Sequence, residues 1–86
     1  MKYRVLWLPT AEDELADIWL RATNHAAITE AAQSIDRRLA AGGPDEGESR
    51  TDALRILFAS PLAATFEMGE DNLEVFVVHV WRFRVS

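Results

Sequence analysis

The chain opens with alternating polar and apolar side chains, the pattern of a half-buried β-strand. In the segment KYRVLWL, the residues Tyr3, Val5 and Trp7 fall on one face. Pro9 is expected to end this strand. Thr10 is then expected to cap a helix through its hydroxyl, ahead of acidic residues that suit the positive end of a helix dipole.

Two stretches then repeat apolar residues at helical spacing. The first stripe consists of Ala11, Leu15, Ile18, Trp19 and Ala22. The second consists of Ile28, Ala31, Ala32, Ile35 and Leu39. Asn24 is predicted to cap the second helix, and Gly42 and Gly43 are predicted to end it. Because the connection between the stripes is short, the two helices should form an antiparallel hairpin.

Three apolar segments follow an acidic, glycine-containing stretch, GGPDEGESRT, which is typical of an exposed loop. They are ALRILFA, LAATFEM and VFVVHVWRFRVS, and the breaks between them lie at Ser60–Pro61 and at GEDN. Short connections of this kind predict an antiparallel meander. Residues 1–86 are therefore expected to form one α+β domain of order β-α-α-β-β-β, with a helical hairpin on one face of a mainly antiparallel four-stranded sheet.

The last strand carries the chemistry of interest, because two arginines stand at its end. Strict alternation assigns one set to the face under the helices: Val75, Val77, His79, Trp81 and Phe83. It assigns the other set to the open face: Phe76, Val78, Val80, Arg82 and Arg84. The open face is thus predicted to become basic, and a neighbouring strand could bring Arg55 near Arg82 and Arg84.

Each of these candidates also has an ordinary structural interpretation. Arginines at a strand end often extend to water or pair with surface acids. His79 is predicted to be partly buried with one local hydrogen bond, and a role as general base would require exposure. Trp81 and Phe83 are expected to pack in the core rather than stack on bases. Glu48 and Arg50 are weaker candidates, because GESR ends the loop that leads to the basic face.

Composition narrows the possible functions. The chain has no cysteine and only two histidines, far apart, so neither a disulfide nor a metal site is expected, and no cofactor is implied. A formal net charge of -5 argues against general polyanion binding. Neither a signal peptide nor a membrane span is apparent, and a cytoplasmic location without membrane contact is expected.

Five segments carry a resemblance to a known family. They are YRVLWLPTAEDELADIW, AAQSIDRRLA, GESR, RILFASPLAATFEM and VFVVHVWRFR. In order and spacing they resemble the RelE/ParE superfamily of type II toxin-antitoxin toxins, especially the short members often labelled plasmid stabilisation proteins. The resemblance implies a cognate antitoxin as partner, with a segment that folds on the helical hairpin and can add a strand to the sheet edge. It also implies either a homodimer or a hetero-oligomer with that antitoxin.

The family implies two kinds of target. RelE-like members are ribosome-dependent endoribonucleases that cut messenger RNA without a metal, and ParE-like members poison DNA gyrase. The matching positions are Arg55, Arg82 and Arg84, with Arg50 a looser match. An acidic chain with a single lysine, Lys2, departs from the basic RelE-like nucleases. We therefore expect ParE-like growth inhibition, with a RelE-like nuclease and a degenerate fold that only binds its antitoxin as alternatives.

Overall fold

The computed structural model of the chain describes residues 3–49, 54–69 and 73–83. In chain order its elements are β1 (Arg4–Trp7), α1 (Pro9–Arg21), α2 (His25–Gly42), a short 3-10 turn (Gly43–Glu46), β2 (Glu48–Ser49), β3 (Arg55–Ala59), β4 (Leu62–Met68) and β5 (Glu74–Arg82). The predicted order of two helices and the later strands is confirmed. No helix in the described ranges is long and apolar enough to cross a bilayer.

The strands form one sheet in the order β1-β5-β4-β3-β2. β1 runs parallel to β5, and the other neighbours are antiparallel. The α+β architecture with a mostly antiparallel sheet is as predicted. The additional strand is β2, which pairs Glu48 with Ile56 and Ser49 with Arg55 at one edge. It was predicted to be loop, because two residues are too few to produce a detectable alternation.

Of the three predictions about helix ends, the cap of the first helix is wrong, and the cap and the end of the second helix are confirmed. α1 begins at Pro9, with Leu8 as an N-cap that makes no side-chain hydrogen bond, so Thr10 does not cap it. Proline suits the first helical position because its fixed φ matches the helix and its missing N–H would have no partner there. Asn24 caps α2 as predicted, accepting from the Ala27 N–H at 3.0 Å. α2 ends at Gly42, followed by Gly43 with a φ of 55°.

The core lies between the hairpin and the sheet, where the predicted stripes meet the inner sides of the strands. Its buried members are Ala11, Ala22, Ile28, Ala31, Ile35, Leu39, Leu57, Ala59, Leu62, Ala64, Phe66, Val75, Val77 and Val80. Every described large side chain that is almost fully buried belongs to this cluster. The face of the sheet that carries Leu57, Ala64 and Phe66 is therefore the helix face, and the other is the open face.

A β-bulge in β5 overturns the predicted faces of the closing strand. Thr65 pairs with His79, but the next residue, Phe66, pairs with Val77, which leaves Val78 without a partner. One extra residue shifts the alternation by one position. Val80 consequently joins the buried core.

Beyond the bulge, the next side chains of β5 also lie on the face opposite to the predicted one. Trp81 pairs with Ala63 on the open face, and Arg82 pairs with Leu62 on the helix face. The predicted core roles of His79, Trp81 and Phe83, and the open-face positions of Val80 and Arg82, are therefore wrong. Sequence alternation alone contains no signal for an unpaired residue.

Candidate functional surfaces

Of the arginines predicted to cluster, the two that the structure describes, Arg55 and Arg82, are not brought together. Arg55 pairs with Phe66 at one end of β4, whereas Arg82 pairs with Leu62 at the other end. Four residues of strand separate these positions by roughly 13 Å, and β3 and β5 lie on opposite sides of β4. Arg50 and Arg84 fall outside the described residues, as does the side chain of Glu48.

Arg82 lies beside α1 rather than on an open basic surface. With Trp81 and Val80 it lines a shallow cavity of about 260 Å³ whose other walls are Glu14, Asp17, Ile18 and Arg21. Arg21 is already paired with Asp17 at 3.0 Å. The cavity therefore contains as many carboxylates as guanidinium groups, which is a poor environment for a phosphate.

His79 and Glu14 join the first helix to the last strand. The Nδ1 atom of His79 lies 3.1 Å from one carboxylate oxygen of Glu14, and the other oxygen accepts the Val80 N–H at 2.9 Å. His79 thus makes one hydrogen bond, but to a distant helix rather than locally as predicted, and the side chain is exposed rather than partly buried. Because β1 ends opposite Val77, Glu14 supplies an acceptor to a part of β5 that has no neighbouring strand on that side.

Three of the six arginines in the described part of the chain are neutralised by carboxylate partners. Arg4 pairs with Glu74, Arg21 with Asp17, and Arg38 with Glu46. Among the described residues, the side chains of Arg37, Arg55 and Arg82 make no hydrogen bond or ion pair, and they lie on three different elements. The described residues also contain no group of three potential metal ligands.

An aromatic cluster occupies one end of the open face. It consists of Phe58, Trp81 and Phe83 and is called the open-face cluster below. Phe58 and Trp81 flank the fully buried Ala63 from neighbouring strands, and the rings of Phe58 and Phe83 meet edge to face at 5.3 Å. Phe58 remains 44% exposed and Trp81 37% exposed. Large aromatic side chains thus face solvent where arginines were predicted.

An apolar groove runs between the two helices on the far side of the sheet. It encloses about 620 Å³ and is lined by Trp7, Glu12, Leu15, Ala16, Trp19, Leu20, Ile28, Thr29, Ala32, Gln33 and Asp36. We refer to it as the interhelical groove. Leu20 is 73% exposed on its wall, and Trp19, predicted to be core, is 39% exposed. The sequence signal for this groove is Leu20, an apolar residue that stands next to the predicted stripe of α1 but outside it.

Two hydrogen-bonded tryptophans hold the walls of this groove. The Trp7 indole N–H donates to Asp36 at 2.7 Å, which connects β1 to α2. The Trp19 indole N–H donates to the Thr29 hydroxyl at 3.3 Å, and its ring stacks on His25 at 3.9 Å. Both indoles are therefore fixed in place before anything binds, which lowers the ordering cost of binding.

No protein-family model matches the chain, and no curated protein sequence matches it. Solved structures do match over nearly the whole chain. The toxin-antitoxin complex RelBE2 of Mycobacterium tuberculosis matches with a TM-score of 0.77 and 12% identity, over 96% of this chain and 93% of that one. A chromosomal ParDE toxin-antitoxin system of P. aeruginosa gives 0.63 and 17%, covering 96% and 98%.

The isolated E. coli RelE toxin matches with a TM-score of 0.66 and 14% identity, over 98% of this chain and 87% of that one. Both RelE-type and ParE-type proteins are thus among the structural matches. At these identities the likeness concerns the fold. The chain therefore has the fold of the RelE/ParE toxins of type II toxin-antitoxin systems.

Proposed function

We propose that this protein is the toxin of a type II toxin-antitoxin module and inhibits growth by binding a protein target such as DNA gyrase, as ParE-like toxins do. The observation that carries the proposal is the open-face cluster. Exposed aromatic residues are enriched at the centres of protein interfaces, where each can bury a large apolar area. A contiguous apolar surface of this kind is a common mark of protein binding.

The distribution of charge favours a protein target over RNA. Phosphate binding draws most of its affinity from free lysines and arginines. The described open face has only Arg4 as an arginine, and Arg4 is paired with Glu74. Aromatic rings can also stack on bases, but proteins that bind single strands combine such rings with a positively charged groove.

A nuclease would also need cationic groups close to one scissile phosphate, because they stabilise charge that develops in the transition state. Arg55 and Arg82 lie near opposite ends of β4, on the two strands that flank it, and so do not form one cationic site. Catalysis through these arginines is therefore the weaker of the two toxin mechanisms.

The proposed partner is an antitoxin that binds on the helix side of the molecule. The M. tuberculosis and P. aeruginosa structures are described as toxin-antitoxin systems, and the present chain shares their fold. The open-face cluster and the interhelical groove lie on opposite sides of the sheet, so separate surfaces are available for target and antitoxin.

Growth arrest after induced expression tests this proposal. Phe58→Thr and Trp81→Thr replace exposed rings with a β-branched polar residue that suits a strand, and each should relieve growth arrest at equal protein level. Arg82→Ala is the control and should remain toxic. If Arg82→Ala abolishes toxicity while the two threonine variants remain fully toxic, the nuclease mechanism replaces the one proposed.

A further inference from the structure

The interhelical groove offers a binding site whose charge indicates the chemistry of its occupant. We infer that it binds an amphipathic helical segment that carries lysine or arginine beside its apolar face. The identification of that segment as part of the antitoxin rests on the proposed function. The charge preference itself rests only on the groove.

The dimensions of the groove suit a short helix. Its α1 wall runs from Glu12 to Leu20, which corresponds to about 12 Å or slightly more than two helical turns. Along this wall Leu15, Ala16 and Trp19 present apolar surface. A helix that lies in such a groove anchors itself through apolar side chains spaced at i, i+3 or i+4, and i+7.

The charged residues of the groove are both acids. Glu12 and Asp36 line it, and no arginine or lysine is among its lining residues. Glu12 makes no side-chain hydrogen bond or ion pair within the described residues, and Asp36 accepts only from the neutral Trp7 indole. Both carboxylates therefore remain available to a cation on an incoming segment, whereas an acidic segment would meet like charge.

The same charges disfavour a second copy of this chain as occupant. Each copy has a formal net charge of -5. Two grooves facing each other would also bring Glu12 and Asp36 of both copies together without a cation among the lining residues. Like charges placed opposite each other suppress association. A cationic amphipathic partner satisfies both the apolar walls and the carboxylates.

Two synthetic helical peptides with identical leucine positions test the inference. In one peptide the residues flanking the leucines are lysines, and in the other they are glutamates. We expect the lysine peptide to bind the full-length protein roughly tenfold more tightly in fluorescence anisotropy at low salt. At roughly 1 M salt, where the Debye length is about 3 Å, the difference should largely disappear.

Matched variants assign the binding to the groove. Glu12→Gln should weaken the lysine peptide about three- to fivefold, the size expected for one exposed ion pair. Glu67→Gln removes one carboxylate from β4, outside the groove lining, and should leave the affinity unchanged. Leu20→Gln should weaken both peptides. Equal affinity of the two peptides, or an unchanged affinity in Glu12→Gln, would overturn the inference.

The peptide experiment tests the groove assignment and the growth experiment tests the toxin proposal, so each proposal can be refuted without the other. A charge preference at the groove without any growth arrest on expression would refute the toxin proposal but uphold the groove assignment. Growth arrest that co-expression of the cognate antitoxin relieves, without a charge preference at the groove, would uphold the toxin proposal and refute the groove assignment.

Discussion

At the scale of single residues, Glu14 has the most consequential position. One of its oxygens contacts His79 and the other accepts the Val80 N–H, so one side chain connects α1 to the unpaired side of β5. Asp17, one turn further along the same helix, makes only an exposed ion pair with Arg21. Although both are acidic residues of α1, they should contribute very differently to stability.

Glu14→Ala should lower the free energy of unfolding by about 1–2 kcal/mol, because the Val80 N–H loses its acceptor at a partly buried position. Asp17→Ala should cost less than about 0.5 kcal/mol, as for most exposed pairs. Urea denaturation of the two variants measures the difference. Equal losses would show that Glu14 does not hold β5 to the helix.

The backbone conformation at position 43 requires glycine. Its φ of 55° is unfavourable for any residue with a side chain, and an added Cβ would lie 2.5 Å from the Tyr3 ring. Gly43→Ala should therefore destabilise the fold by about 2–4 kcal/mol. Gly69→Ala, whose Cβ would lie 3.0 Å from the edge of Phe76, is the control and should cost clearly less in the same urea assay.

At the scale of secondary structure elements, the bulge at Val78 determines which surface the protein presents. It turns Val80 inward and Trp81 outward, so the aromatic ring adds to the open face and Arg82 moves beside α1. Bulges commonly redirect a side chain next to a functional surface. Here the redirected side chain is the one that completes the open-face cluster with Phe58.

Stability measurements can test this reversal of faces. Trp81→Ala should cost less than about 2 kcal/mol because the indole is already partly in water, whereas Phe66→Ala in the buried core should cost about 3–5 kcal/mol. If Trp81→Ala destabilises the protein as strongly as Phe66→Ala, the indole is a core residue and the strand alternates without a bulge.

The bulged strand β5 also shows which parts of the fold could be predicted from the sequence and which could not. Both helices and the long strands were predictable, because apolar residues such as Ile35, Leu39 and Leu57 repeat at spacings that their burial later confirms. The faces of β5 beyond Val77 were not, since an unpaired residue leaves the composition of a strand unchanged. The groove was only partly predictable, because Leu20 lies beside the stripe but its exposure depends on where α2 packs.

At the scale of the whole molecule, the sheet separates two surfaces of different character. The helix side has an apolar groove with two carboxylates, and the open side has an uncharged aromatic cluster. Because the two surfaces are separate, variants in each should affect different activities. Phe58→Thr should reduce toxicity while antitoxin binding persists, and Leu20→Gln should remain toxic while neutralisation by the antitoxin weakens.

The choice between a protein target and messenger RNA depends on which synthesis stops first. Pulse labelling of DNA and protein after induced expression of the wild-type chain measures this order directly. The proposed mechanism predicts that DNA synthesis falls before protein synthesis, and that Phe58→Thr delays the fall. An initial arrest of protein synthesis, or unchanged growth with both syntheses intact, would contradict it.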